Sequence, residues 1–181
     1  MKTDNPWITK NSSEIYQNSW IRVDEHEIIN PAGKDGIYGT VHFKNKALAI
    51  IPIDQDGNTW LVGQFRYPLN QYSWEVPMGG GSIGKDLLES AKRELKEETG
   101  LTAKKWTEIM RIHTSNSVTD EEGIVYLAED LTHGETEFEE TEVLEIRKLP
   151  FSDVLKMVMD GSITDGISIA GVLKAARILG Y

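Results

Sequence analysis

Residues 79–101 read GGGSIGKDLLESAKRELKEETGL, and their reading decides the fold. Leu87, Leu88, Ala91 and Leu95 recur at helical spacing and make one apolar stripe. Gly100 stands where a helix ends in the left-handed conformation. The pattern predicts a helix from Lys85 or Asp86 to Thr99, preceded by a glycine-rich turn. Glu94, Glu97 and Glu98 then share one face, because positions three and four apart are neighbours on a helix. Like charges at that spacing oppose the helix by a few tenths of a kcal/mol per pair, roughly. A divalent cation removes that penalty, and carboxylates suit hard ions such as Mg2+ that also bind substrate phosphates. The first reading is therefore a magnesium site on a helix, fed by a backbone loop.

Outward from this stretch, the chain alternates between strand and turn signals. Residues 1–14 read as irregular, 15–30 as one or two strands, 31–36 as a turn and 37–43 as a strand. The run ALAIIPI, residues 47–53, is apolar throughout, as a strand covered on both faces must be. Asp56-Gly57 centres a hairpin turn leading to the strand 59–66. Residues 67–72 read as a loop and 73–78 as a short strand. Beyond the helix, 106–114, 124–128 and 143–149 read as strands, with a polar loop at 115–123. Two helices close the chain, 151–160 and 168–179, the last with Leu173, Ala176 and Leu179 as its buried face. This order points to an α/β or α+β fold with a mixed sheet covered by helices.

A chain of 181 residues suits one domain with an extension and can bury a sizeable core. Lys and Arg number 19 against 29 Asp and Glu, a formal charge of −10. That balance argues against a broad nucleic-acid surface, which needs basic patches. Without cysteine there are neither disulfides nor thiolate metal sites. The N-terminus is polar, and no run reaches the length of a membrane span. The expectation is a soluble, cytoplasmic protein with no membrane or nucleic-acid partner.

The central stretch resembles the Nudix box, G-x5-E-x7-R-E-U-x-E-E-x-G-U with U apolar. Gly79, Arg93, Glu94, Leu95, Glu97, Glu98, Gly100 and Leu101 match it, and one position departs: Lys85 stands where the pattern has Glu. The segments Gln64-Phe65-Arg66-Tyr67-Pro68 and Trp74-Glu75-Val76-Pro77-Met78-Gly79-Gly80 are similar to ADP-ribose pyrophosphatases, as are Gly161-Ser162-Ile163-Thr164-Asp165 and the N-terminal strand pair. The resemblance implies the Nudix α/β/α sandwich with a mixed sheet and an N-terminal β extension. It implies residues 1–43 as that extension, serving dimerisation, and 44–181 as the hydrolase domain. It also implies a homodimer that hydrolyses a nucleoside diphosphate linked to another moiety.

By the same resemblance, Glu94 and Glu98 are metal ligands, and Glu97 ligates or positions metal-bound water. The backbone carbonyl of Met78 is a further ligand, and Arg93 orients a metal glutamate. Glu140 falls as general base and Glu142 as an added metal ligand, with Glu139 and Glu121 open as alternatives for the base. Arg66 is expected to meet a phosphate, since arginine offers paired hydrogen bonds to phosphate oxygens. Glu75 is placed to accept from a sugar hydroxyl, and Trp20, with Tyr16, to stack on a base. His113 reads as structural. Lys85 cannot pair with the box arginine, and Glu89, four residues before Arg93, is the local candidate to replace the missing partner. The activity expected is Mg2+-dependent hydrolysis of ADP-ribose or a related nucleotide sugar, with Mn2+ as an alternative ion. Other readings are a Nudix hydrolase of dinucleotides or nucleoside triphosphates, and a non-catalytic module that binds a nucleotide sugar.

Overall fold

Strand β4 (Asn45–Pro52) is apolar at successive positions because both of its faces are covered. Leu48 and Ile50 point into one buried cluster, while Ala49, Ile51 and Ile53 point into another. A computed structural model describes residues 4–134 and 144–181. The chain divides into two compact units, residues 1–45 with 113–121, and residues 46–112 with 122–181.

In the larger unit β4 lies in a four-stranded sheet of order β7-β4-β9-β8. These strands are β7 (Met78–Ser82), β8 (Leu101–His113) and β9 (Glu122–His133). β4 and β9 run parallel, from Ala47 opposite Gly123 to Pro52 opposite Ala128. The second sheet, β10-β5-β6, is antiparallel and built from β5 (Asn58–Arg66), β6 (Gln71–Glu75) and β10 (Glu145–Pro150). Helix α1 (Leu87–Thr99) puts Ala91 and Leu95 against Leu48, Ile50, Ile124 and Tyr126. On the opposite face, α2 (Phe151–Met159) and α3 (Gly166–Leu179) pack on Ala49, Ile51, Val125 and Leu127. The sheet is thus the middle of an α/β/α sandwich, as expected. Alternation along β4 and β9 serves two cores at once, which is why both strands read as unbroken apolar runs.

Several local expectations change. The glycine-rich segment is not a turn: Gly79, Gly80 and Gly81 lie in strand β7, and the turn follows at 83–85 with Gly84 at φ +86. Helix α1 begins at Leu87, because the Asp86 side chain accepts hydrogen bonds from the Leu88 and Glu89 N–H groups at 2.9 and 3.3 Å and caps it. Lys85 therefore stands outside the helix. Gly100 ends it at φ +70, as read. In α3, Leu173 is exposed; Gly171, Val172, Ala175 and Ala176 form the buried face. Small residues win there because the helix approaches β9 closely: a Cβ on Gly171 would lie 3.0 Å from Val125.

The smaller unit is an antiparallel sheet of β1 (Ile8–Gln17), β2 (Ile21–Ile29) and β3 (Asp35–Phe43), in that order. β1 starts within a stretch expected to be irregular. It is exposed along its whole length and carries no apolar alternation, so only its pairing with β2 makes it a strand. Trp7 packs edge-on against Tyr38, with centroids 5.5 Å apart. Segment 113–121 follows β3, its Val118 carbonyl accepting from the Val41 N–H at 2.8 Å. No helix among the described residues is long and apolar enough to cross a membrane.

Candidate active site on the glycine strand and first helix

Glu94 and Glu98 of α1 face strand β7, and the glycines of β7 are what let the helix approach. A Cβ at Gly79 would overlap the Glu94 carboxylate, and one at Gly81 would lie 2.7 Å from Leu87 and 2.8 Å from Leu48. Glycine is needed here for close packing of strand on helix, not for a left-handed backbone. Glu98 is 3% exposed, and its Oε2 accepts a hydrogen bond from the Met78 N–H at 3.0 Å. Arg93 pairs with both Glu94 and Glu97. The predicted group Met78, Arg93, Glu94, Glu97 and Glu98 is therefore assembled at one place. Its donors, carboxylate oxygens beside a strand backbone, are those a hard divalent ion takes, so the residues fit a Mg2+-class ion.

Glu89 does not stand in for the partner that Lys85 fails to supply. It pairs with Lys92 at 2.6 Å, one helical turn along the exposed face. Arg93 instead reaches forward to Glu94 and Glu97, so its orientation needs no residue at position 85 or 89.

Arg66 and Glu75 were read as separate substrate ligands, and they form one bidentate pair. Arg66 Nε donates to Glu75 Oε1 at 2.9 Å, and Nη2 donates to Oε2. Strands β5 and β6 pair antiparallel, with Val62 opposite Glu75 and Arg66 opposite Gln71. Arg66 is four residues from Val62 and so on the same face as Glu75, and its long side chain reaches back along the ladder to the carboxylate. Glu75 is buried and Arg66 half-exposed, the arrangement of a guanidinium held from behind. The hydrogen bond to Glu75 raises the Arg66 pKa against the opposing effect of burial, with smaller contributions from Asp165 and Glu98. Both line a cavity of about 230 Å3 with Pro68, Leu69, Ser73, Thr164 and Asp165.

Asp165 and Ser168 were missed as site residues. Asp165 caps α3, its carboxylate accepting from the Ser168 N–H at 2.7 Å. The fully buried Ser168 Oγ accepts from the Val76 N–H at 3.1 Å and holds the chain just ahead of Met78. The cap was legible as Asp before an apolar run, but nothing local ties it to residue 76.

Trp20 lies in the smaller unit, 69% exposed, with its N–H donating to Asn18 Oδ1 at 2.8 Å. Tyr16 is exposed on β1 of the same unit. Glu121 also belongs to that unit, accepting from the Thr114 hydroxyl, and His113 Nδ1 lies 3.2 Å from the Glu121 carbonyl oxygen. Glu139, Glu140 and Glu142 lie outside the described residues.

The NUDIX domain model matches residues 43–164, a span that contains the whole glutamate–glycine arrangement. The chain belongs to the Nudix family. A model described as the nucleoside diphosphate sugar hydrolase N-terminal domain matches residues 4–41. Among curated Nudix relatives, the chain is 37% identical over 121 residues to an ADP-ribose pyrophosphatase of Bacillus subtilis (strain 168), covering 66% of this chain and 65% of that protein. It is 34% identical over 131 residues to an ADP-ribose pyrophosphatase of Mycobacterium tuberculosis, covering 70% of this chain and 63% of the relative. The chain thus spans a little under two thirds of the length of these two relatives. A crystal structure of an ADP compounds hydrolase superposes with a TM-score of 0.87 over 99% of this chain and 97% of that one, at 20% identity, and shows the same fold.

Proposed function

We propose that this Nudix protein is a Mg2+-dependent pyrophosphatase of nucleoside diphosphate sugars, with ADP-ribose the first substrate to test. The products are a nucleoside monophosphate and a sugar phosphate. The observation that carries the reading is the seating of Glu98, buried on the Met78 N–H, beside the Glu94–Arg93–Glu97 group. The names of the two pyrophosphatase relatives support the choice of substrate class.

A bound divalent ion supplies charge neutralisation of the pyrophosphate and a more acidic water. Glu94, Glu97, Glu98, the Met78 carbonyl and Glu142 are the residues that would hold it, and Mn2+ would serve in place of Mg2+. Arg93 keeps Glu94 and Glu97 in position. Arg66, fixed by Glu75, presents its remaining N–H groups to phosphate oxygens. Glu140 takes the proton of the attacking water as the new P–O bond forms and the bridging P–O bond breaks. Trp20 stacks on the base.

Residues 1–43 form a dimerising extension and 44–181 the hydrolase domain. Exposed Ile8, Ile15, Tyr16, Trp20 and Ile37 on the smaller unit support a homodimer. The absence of cysteine supports a cytoplasmic setting.

The test is phosphate release from a panel of nucleotide sugars with Mg2+ and an added phosphatase. Turnover of ADP-ribose or a close analogue is expected. Silence across the panel with tight binding retained would replace this reading with that of a binding module. Glu140→Gln and Glu142→Gln should each cut turnover with the fold intact. Unchanged rates in both would move the base to Glu121 or Glu139. Light scattering on the purified chain tests the dimer, and a monomer at assay concentration would refute it.

A further inference from the structure

A second set of metal-class donors lies on one face of the β1–β2–β3 sheet. Among the described residues, one ligating atom from each of Asp24, His26 and His42 falls within 4.8 Å of the others. β2 supplies Asp24 and His26, two apart and so on one face. β3 supplies His42, beside Asp24 because Arg22 pairs with His42 and Asp24 with Thr40 in the register. All three side chains are partly buried.

The partners of the two imidazoles set their orientation. Asp120 Oδ2 lies 2.6 Å from His42 Nδ1. A carboxylate only accepts, so that nitrogen carries the proton. His42 Nε2 is then left facing Asp24 Oδ2 at 3.4 Å and Thr40 Oγ1 at 3.1 Å. His26 is placed alike, with Ser12 Oγ 2.7 Å from Nδ1 and Nε2 2.8 Å from the same Thr40 hydroxyl. With the Ser12 hydroxyl accepting from Nδ1–H, Nε2 keeps its lone pair for a metal. Both Nε2 atoms thus converge with a carboxylate, while both Nδ1 atoms are anchored from outside. An imidazole lone pair directed at a carboxylate is repulsive unless a cation or a second proton stands between them. A carboxylate or hydroxyl behind each ligating imidazole is the arrangement that fixes a histidine for metal.

We propose that Asp24, His26 and His42 form a metal site separate in ligand chemistry from the glutamates of α1. Two imidazoles and one carboxylate take a borderline ion of the Zn2+ class, whereas the all-oxygen set of α1 takes a hard ion. Bonds of about 2.0–2.1 Å require the three groups to draw together around the ion. The Thr40 hydroxyl yields its place or becomes a fourth donor. Arg22 Nη2, which pairs with Asp24 Oδ2 at 3.0 Å and is 44% exposed, swings toward solvent. Bound there, the ion cross-links β2 to β3 and, through His42 and Asp120, ties in the 113–121 segment.

The experiment is calorimetric titration of the full-length protein with Zn2+ in excess Mg2+, followed by the visible absorption of bound Co2+. One equivalent is expected in wild type and in Glu98→Gln, with an imidazole-ligand Co2+ spectrum in both. His26→Asn and His42→Asn should each weaken binding at least tenfold. Asp120→Asn should weaken it by roughly 10–100-fold, as loss of a supporting partner does. Equal Zn2+ affinity in wild type and both histidine variants would overturn the site, as would loss of the equivalent in Glu98→Gln. Should a histidine variant unfold, ring-nitrogen NMR of wild type decides. Zn2+ must shift Nε2 of both His26 and His42, and unmoved resonances would refute the proposal.

Discussion

The α1–β7 region and the β2–β3 region both gather acidic side chains with partners that orient them, but they are built in opposite ways. In α1, Arg93, Glu94, Glu97 and Glu98 come from six consecutive positions, and the helix turns their spacing into a shared face. In β2 and β3, Asp24, His26, Thr40 and His42 come from two strands and Asp120 from a distant segment, and only cross-strand register brings them together. The first cluster is held by packing so close that neighbouring residues must be glycine. The second lies on a strand pair with uneven room: a Cβ on Gly39 of β3, on the opposite face from the cluster, would meet nothing within 4 Å, whereas one on Gly36 would lie 3.2 Å from Ile28.

The largest effect should come from Glu98→Gln, which keeps size and removes charge at the most buried of the three glutamates. Turnover should fall by roughly 100-fold or more, beyond the loss of a merely supporting partner, with little change in melting temperature. A rate near wild type would remove Glu98 from the chemistry.

Gly79→Ala against Gly39→Ala sharpens the packing contrast. The first drives a methyl group into the Glu94 carboxylate and should cost about 1–3 kcal/mol by overpacking, with activity lost as Glu94 moves. The second should stay within about 0.5 kcal/mol. Equal costs in chemical denaturation would break the contrast.

Arg66→Lys keeps the charge and loses the two-pronged grip on buried Glu75. One charge-assisted bond is worth about 1.5–3 kcal/mol, and KM should rise more than kcat falls. An unchanged KM would detach Arg66 from substrate.

Asp54, in the β4–β5 turn, is a smaller matter. Burial pushes its carboxyl up, but Lys148 and the Asn58 groups together outweigh this and bring it to about 2, from an ordinary 3.8. A depressed folded-state value stabilises the fold above the unfolded value and loses that contribution as pH falls. Urea unfolding should therefore show a decline between about pH 4 and 2 that is shallower in Asp54→Asn, since Glu108, Asp120, Glu122 and Asp160 are lowered as well. The smallest effect belongs to Glu89→Gln, which breaks only the exposed pair with Lys92 and should change stability by under about 0.5 kcal/mol and turnover not at all. A marked loss of turnover would restore Glu89 as a support for Arg93.

Much of this is legible in the sequence. Helix α1, its glycine stop and its glutamate face followed from spacing alone, because helical geometry depends on near neighbours. The doubly covered β4 followed from its unbroken apolar run. The reach of Arg93 was legible in part: pairing with Glu97 is an i,i+4 relation, whereas its second contact with Glu94 depended on the side chain's path. The first part of strand β1, residues 8–14, was illegible because pairing, not alternation, forms it. In α3, Ala176 and Leu179 do pack on the core as read, but Leu173 does not; close approach to β9 gave that face to Gly171, Val172 and Ala175 instead.

The sequence by itself determined helix α1 and its glutamate face, since these depend on periodicity within one segment, and it carried the box pattern and the sandwich only through resemblance to the Nudix family. Only the tertiary structure decided that Arg66 belongs to Glu75, that Ser168 holds Val76, and that two histidines and an aspartate meet on the N-terminal sheet. Those groupings depend on strand register and on contacts between residues far apart in the chain, and spacing along a single strand carries no record of which residue lies across from it.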